Sequence, residues 1–262
     1  MLDHAAVRRE NFVASSRSAQ LGQGNQGIRA SLGADPEQGE LELLTLPWTD
    51  ADLRALICGA IDLNAPPRSL ALALYRESEM RPNATTFVDS AKKYIGIVGL
   101  NQFTQEAVIG NFYPSLVGKG KEPEAFKAWQ DFAHKYRVMT PAEQMPFIVQ
   151  SLKESAWFKT GKPFTETSLY MANFLPGKST FTDPNVVLLA KPDKPCSDPE
   201  ARSTLYCQNK GMDVDTSDGG ITLGDVAAFL QKIAKQPRFV AFETRIQNLL
   251  DASPTSVICP GL

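Results

Sequence analysis

Among the acidic residues of this chain, Glu77 has the setting best suited to proton transfer. It follows the apolar run Leu72-Ala-Leu-Tyr-Arg and precedes Ser78-Glu79-Met80-Arg81-Pro82-Asn83-Ala84. The pattern is a helix whose last turn carries a carboxylate, partly buried by the face that holds Leu70 and Leu74. Burial disfavours the charged form and raises the pKa, which suits a general acid near neutral pH. Further along lies Gly96-Ile-Val-Gly99-Leu100-Asn101-Gln102-Phe103. Its glycines allow backbone to approach a ligand closely. Glu79, two residues from Glu77, faces elsewhere on a helix and reads as a solvated charge.

A second group of oxygens runs from Asp213 through Asp215, Ser217 and Asp218 to Asp225, with Gly219-Gly220-Ile221 between. It is similar to an EF-hand-like calcium loop, in which alternating oxygen ligands surround a glycine turn. With Asp218 and Gly219 at positions 5 and 6, Ile221 and Asp225 fall at 8 and 12, while Asp213 and Asp215 are displaced by one residue. The competing reading is an Asp/Gly-rich turn that caps the next helix through Thr222. On the first reading a structural Ca2+ is expected; no cofactor is required for the chemistry of Glu77.

Helices must position these groups. Thr49 is an N-cap with Asp52 three residues on, and Leu53, Leu56, Ile57, Ala60 and Ile61 follow at helical spacing. Pro66-Pro67 punctuates, and a second helix is expected from Ser69 to Met80. Others are expected over Gln102 to Asn111, Pro123 to Tyr136 and Glu166 to Leu175. Thr140-Pro141-Ala142-Glu143 is a capping box that starts a helix running to Lys153. Residues 177–220 read as long loops. Helices resume over Leu223 to Ala234 and Arg238 to Ala252. No segment alternates convincingly as a strand, so the fold class is all-α, without internal repeats. Residues 1–45 are polar and poor in aromatics and read as an extended or disordered arm. Residues 46–262 read as one domain.

Composition narrows the partners. A formal net charge of −2 gives no basic footprint for phosphates, so no nucleic acid is expected. No apolar run approaches the ~18 residues of a membrane span. Met1 to Asn11 is followed by no apolar stretch, so no secretory signal is expected. The four cysteines lack C-x-x-C spacing and only two histidines exist, which argues against zinc. Cys58 lies in an apolar helix pattern and reads as a core thiol. Cys196 and Cys207 bracket a polar loop, where a disulfide and two free thiols are both open.

Glu77-Ser78 with Pro82-Asn83-Ala84, followed by Gly96-Ile-Val-Gly99-Leu100-Asn101-Gln102-Phe103, resembles the signature of the soluble lytic transglycosylases and goose-type lysozymes. The resemblance implies a lysozyme-like, mainly helical catalytic domain and peptidoglycan glycan strands as substrate. Carried over residue by residue, it implies that Glu77 is the catalytic acid and base, that Ser78 is its neighbour at the site, and that Gln102 lies in the glycan cleft. Asn101 stands where the family usually has Met, a mild departure because both can line a groove. Segments 139–145 and 168–176 look like those of phage-associated members. In related enzymes a tyrosine of the later helix hydrogen-bonds near the acid, and Tyr170 is the candidate here. Without the resemblance, Gln102 reads as a helix cap and Tyr170 as a core aromatic.

The resemblance implies cleavage of the β-1,4 bond between N-acetylmuramic acid and N-acetylglucosamine, by transglycosylation or by lysozyme-type hydrolysis. The setting it implies is a phage virion or tail acting on the bacterial wall, with the N-terminal arm contacting tail or virion proteins. The alternative is a non-catalytic structural protein of a virion or secretion machine that grips glycan. Retention of the acid at position 77 favours the enzyme. A calcium-sensing protein would leave residues 71–103 unexplained.

Overall fold

The computed structural model describes residues 48–88, 94–215 and 219–260, and Thr49 opens the first helix among them. The expected arm, residues 1–45, lies outside the described residues. The chain divides into two compact units. Up to residue 180 the described chain belongs to the larger one. It contains α1 (Asp50–Asp62), α2 (Pro67–Ser78), the strands β1 (Thr85–Phe87), β2 (Ile95–Val98) and β3 (Phe103–Thr104), then α3 (Gln105–Phe112), α4 (Glu122–Tyr136), α5 (Pro141–Lys153) and α6 (Glu166–Phe174).

Asp52 organises two of these helices. Its Oδ2 accepts from Thr49 N at 2.8 Å, and its Oδ1 accepts from Ala142 N at 2.9 Å. One buried carboxylate thus closes the N-termini of α1 and α5, where helix dipoles favour negative charge. The two helices lie close: a Cβ on Gly59 would come within 2.9 Å of Val149 Cγ2. The strands form an antiparallel sheet in the order β1-β2-β3. Ile95 anchors it to α4, its N–H donating to Gln130 Oε1 and its carbonyl accepting from Trp129 Nε1 and Gln130 Nε2, each at 2.9 Å. Behind the sheet, Phe103, Phe112, Phe132, Tyr136 and Phe147 interlock, with Phe132 stacked on Tyr136 at 5.1 Å.

The smaller unit covers residues 181–229 among those described. Here β4 (Val187–Ala190) pairs antiparallel with β5 (Gly220–Thr222). Between them lie α7 (Pro199–Arg202) and α8 (Leu205–Gln208), in what the sequence presented as long loops. Cys196 and Cys207 form a disulfide. The helix α9 (Leu223–Ala234) follows β5.

The chain then completes the larger unit with α10 (Pro237–Ala252) and α11 (Thr255–Ile258). Phe242 packs edge-on to Trp48 and Phe239 to Tyr75, with ring centroids 5.1 and 5.4 Å apart. Cys58 is not the free core thiol its helix pattern suggested. It is disulfide-bonded to Cys259, 201 residues away, a pairing that no local spacing announces.

The described residues are mainly helical, with eleven α-helices and five short strands. The strands have two to four residues each, too few for alternation to show in the sequence. Among the described residues no helix is long and apolar enough to cross a membrane.

Candidate active site

The acid candidate sits where α2 is forced to stop. Pro67 at the first turn starts this helix, and all of Ser69 to Tyr75 is buried. Glu77 is half-buried on the last turn. The next two residues, Glu79 and Met80, are both left-handed, with φ of 52° and 62°, although neither is glycine. Such conformations cost roughly 1–3 kcal/mol each and persist only where the surroundings impose them. Here the helix-end carbonyls are taken in turn. Tyr75 O accepts from Glu79 N at 2.8 Å, Leu74 O from Ser78 Oγ at 3.0 Å, and Ser78 O from Arg81 N and Nε at 3.1 and 3.2 Å. Met80 is fully buried, and its carbonyl accepts from Trp48 Nε1 at 2.9 Å. The turn after Glu77 is therefore tightly determined.

The Gly-rich segment is bonded directly to this turn. Gly99 N donates to Ala84 O at 2.8 Å, and Thr85 is paired with Val98 across β1 and β2. Gly99 has φ of 84°, and an added Cβ would lie 2.1 Å from Tyr136 Cε1, so no other residue fits. Gln102 is also left-handed, with φ of 54°. Its amide donates to Gly99 O at 2.7 Å and, at 3.5 Å, to Ala84 O. Helix α3 begins only at Gln105 and is capped by Thr104, so Gln102 neither starts nor caps it. Asn101 is buried. Its Oδ1 accepts from the Tyr136 hydroxyl at 3.3 Å and its carbonyl from Asn173 Nδ2 at 3.3 Å. Burial pushes the Tyr136 phenol well above its ordinary pKa, which keeps it a neutral donor.

One residue outside the motif ties these parts together. Gln144 is completely buried. Its Oε1 accepts from Leu100 N at 3.0 Å, and its Nε2 donates to Pro82 O at 2.7 Å and Tyr136 O at 3.0 Å. It thus joins the turn after Glu77, the Gly-rich segment and the end of α4. Compared with protein-family models, curated proteins and solved structures, the chain finds no match.

The remaining expected residues fall as follows. Ser78 is buried, and its Oγ donates to Leu74 O within its own helix. Tyr170 is buried on α6 and stacked on Phe174 at 5.6 Å; α6 packs along α2, the helix of Glu77. Glu79 is exposed, 3.8 Å from Arg81 and 3.6 Å from Arg238. Beyond Met80 a groove of about 810 Å³ opens, lined by residues 80–83, 85, 87 and 137–141.

In the smaller unit, Asp225 is buried and fully engaged. Its Oδ1 accepts from Val214 N and Asp215 N at 2.9 and 3.1 Å, and its Oδ2 from Thr222 N and Oγ1 at 2.9 and 2.7 Å. Thr222 Oγ1 accepts in return from Asp225 N at 3.1 Å, which completes a capping box at the start of α9. Burial acts to raise the Asp225 pKa, but the hydrogen bonds from Thr222, Val214 and Asp215 outweigh it and hold it below its ordinary value. Asp213 Oδ2 accepts from the Tyr206 hydroxyl. Ser217 and Asp218 lie outside the described residues. Among the described residues no group of three or more His, Cys, Asp or Glu could hold a metal ion.

Proposed function

We propose that this protein is a peptidoglycan-cleaving glycosidase of the lytic-transglycosylase kind, with Glu77 as its acid and base. The observation that carries the reading is the helix end itself: a half-buried glutamate on a final turn closed by two left-handed residues. The Glu-Ser and Gly-Leu-Asn-Gln blocks meet there through Gly99 N and Ala84 O. Backbone outliers held by several hydrogen bonds cluster at functional sites.

In the proposed reaction Glu77 protonates the glycosidic oxygen between N-acetylmuramic acid and N-acetylglucosamine, and the bond from that oxygen to the muramoyl C1 breaks. The substrate's N-acetyl oxygen steadies the positive charge at C1. The Glu77 carboxylate then takes the proton of the muramoyl C6 hydroxyl, whose oxygen closes onto C1 as a 1,6-anhydro ring. Water in place of that hydroxyl gives lysozyme-type hydrolysis. A single carboxylate suffices for this route, whereas most glycosidases use two. The state of Glu79, exposed beside Arg81 and Arg238, supports the single-acid form.

A virion or tail protein that opens the wall, with residues 1–45 contacting its assembly, is part of the same proposal. The two disulfides favour work where thiols stay oxidised. A structural calcium ion at residues 213–225 is proposed on the oxygen pattern alone. The competing use of Asp225 is the capping box described above.

The test is zymography on purified walls. Glu77→Gln keeps the side-chain shape and removes the transferable proton, and is expected to lose about 10²–10⁴-fold in activity with unchanged melting. A variant that retains more than about a tenth of the activity contradicts the acid role.

A further inference from the structure

Helix α10 packs against α2 and meets it near both ends. Near the start of α2, Arg68 Nε donates to Glu243 of α10. Further along, the Tyr75 hydroxyl donates at 3.1 Å to Oε1 of Gln236, the residue that precedes α10, and the Tyr75 ring packs on Phe239. At the end of α2, Arg238 Nη1 lies 3.6 Å from Glu79 Oε2, a half-exposed pair that contributes little by itself. The stronger grip on that end runs through Trp48. Arg245 Nη2 donates to Trp48 O, and the Trp48 ring lies edge-on to Phe242 at 5.1 Å. Phe242 and Arg245 are three residues apart on α10 and so share a face, which holds Trp48 by its backbone and by its ring. The indole N–H of Trp48 donates in turn to Met80 O at 2.9 Å. Trp48 is 3% exposed and Met80 is fully buried, so solvent cannot readily replace this bond. Met80 is also one of the two left-handed residues that close α2, a conformation that persists only where its surroundings over-determine it. The bonds from Glu79 N to Tyr75 O and from Arg81 N to Ser78 O are local to the helix end, whereas Trp48 ties it to α10.

We infer that Trp48, held by Phe242 and Arg245, is a positioning residue for Glu77. By capturing Met80 O it fixes the left-handed close of α2, and with it the last helical turn, which carries the Glu77 carboxylate. The inference rests on the glycosidase reading for the reaction that Glu77 performs, and on the hydrogen bonds alone for the hold on the turn. It gives α10, far along the chain from the motif of residues 77–103, a part in the chemistry.

The experiment compares wild type, Trp48→Phe and Arg68→Gln on purified peptidoglycan. Trp48→Phe keeps a ring against Phe242 and removes the donor to Met80 O. Arg68→Gln loosens the same helix at its far end and is the structural control. Melting curves report stability, and hydrogen–deuterium exchange reports residues 79–84. In Trp48→Phe, exchange over residues 79–84 should quicken about tenfold, as for loss of one buried hydrogen bond. Its kcat should fall about tenfold with KM unchanged, because a displaced acid loses transition-state stabilisation and not substrate binding. Arg68→Gln should melt earlier and leave both kcat and the exchange of residues 79–84 unchanged. If Trp48→Phe does not fold, Arg245→Gln removes the grip on Trp48 O instead and should move both readouts in the same direction by about threefold. Unchanged exchange, an unchanged kcat, or equal losses of kcat in the variant and in Arg68→Gln overturns the inference and leaves the glycosidase reading intact. No cleavage by folded wild type, with faster exchange of residues 79–84 in Trp48→Phe, overturns the glycosidase reading and keeps the hold of Trp48 on the turn.

Discussion

Gln144 shares one face of α5 with Ile148 and Leu152, and all three are buried. A glutamine at an apolar stripe position is the trace it leaves in the sequence, and the motif alone gives no reason to look there. Glu77 and Gly99 are legible because a helix-end carboxylate and a glycine spacing are local features. Gln144 and Tyr136 are not, because they act on residues far along the chain. Gln144→Leu keeps the volume but leaves Leu100 N and Pro82 O without these partners in the interior. Each orphaned group costs about 1–3 kcal/mol, so the variant should lose roughly 2–6 kcal/mol of stability. Chemical denaturation measures this, and a variant as stable as wild type would show that the clamp is not what fixes the turn.

At the level of elements, the helices were readable from caps and apolar spacing, and their boundaries were less so. Helix α2 stops at Ser78 rather than Met80 because Trp48 and Arg81 capture the following carbonyls. The helix expected from Gln102 starts at Gln105, because Gln102 folds back onto Gly99. The start of α9 carries a pH dependence. Asp225 has a pKa below its ordinary 3.8 in the folded chain, so its carboxylate stabilises the fold fully above that ordinary value. The contribution is lost as pH falls through the lower, folded value. Wild type should therefore melt earlier on acidification below about pH 4, and Asp225→Asn should show a smaller dependence there. Equal acid sensitivity in both would remove Asp225 from the account. In the same scans at neutral pH, millimolar calcium should raise the wild-type melting temperature over excess chelator, as ligands that bind only the folded form do. Identical curves would leave the loop held by the capping box without an ion.

Across the whole molecule, the feature least visible beforehand is the covalent one. Cys58 and Cys259 are 201 residues apart, and Cys196 and Cys207 only 11. If the cross-links act by restricting the unfolded chain, the long one contributes about 5 kcal/mol and the short one about 3 kcal/mol. Cys58→Ser with Cys259→Ser should accordingly lower the denaturation midpoint more than Cys196→Ser with Cys207→Ser. The reverse order would mean that native-state contacts decide the difference rather than chain entropy. Long-range closure of this kind leaves no mark in local sequence, whereas the helix caps and the helix-end carboxylate of Glu77 do.

The central claim is that this chain breaks wall glycan through Glu77. Mass spectrometry of the soluble products from purified peptidoglycan tests it most directly, because ring closure and hydrolysis differ by one water. Wild type is expected to release fragments ending in 1,6-anhydro-N-acetylmuramic acid, and Glu77→Gln, equally folded, almost none. Absence of any soluble fragment with folded wild type, or the same fragments at the same rate from Glu77→Gln, would contradict it.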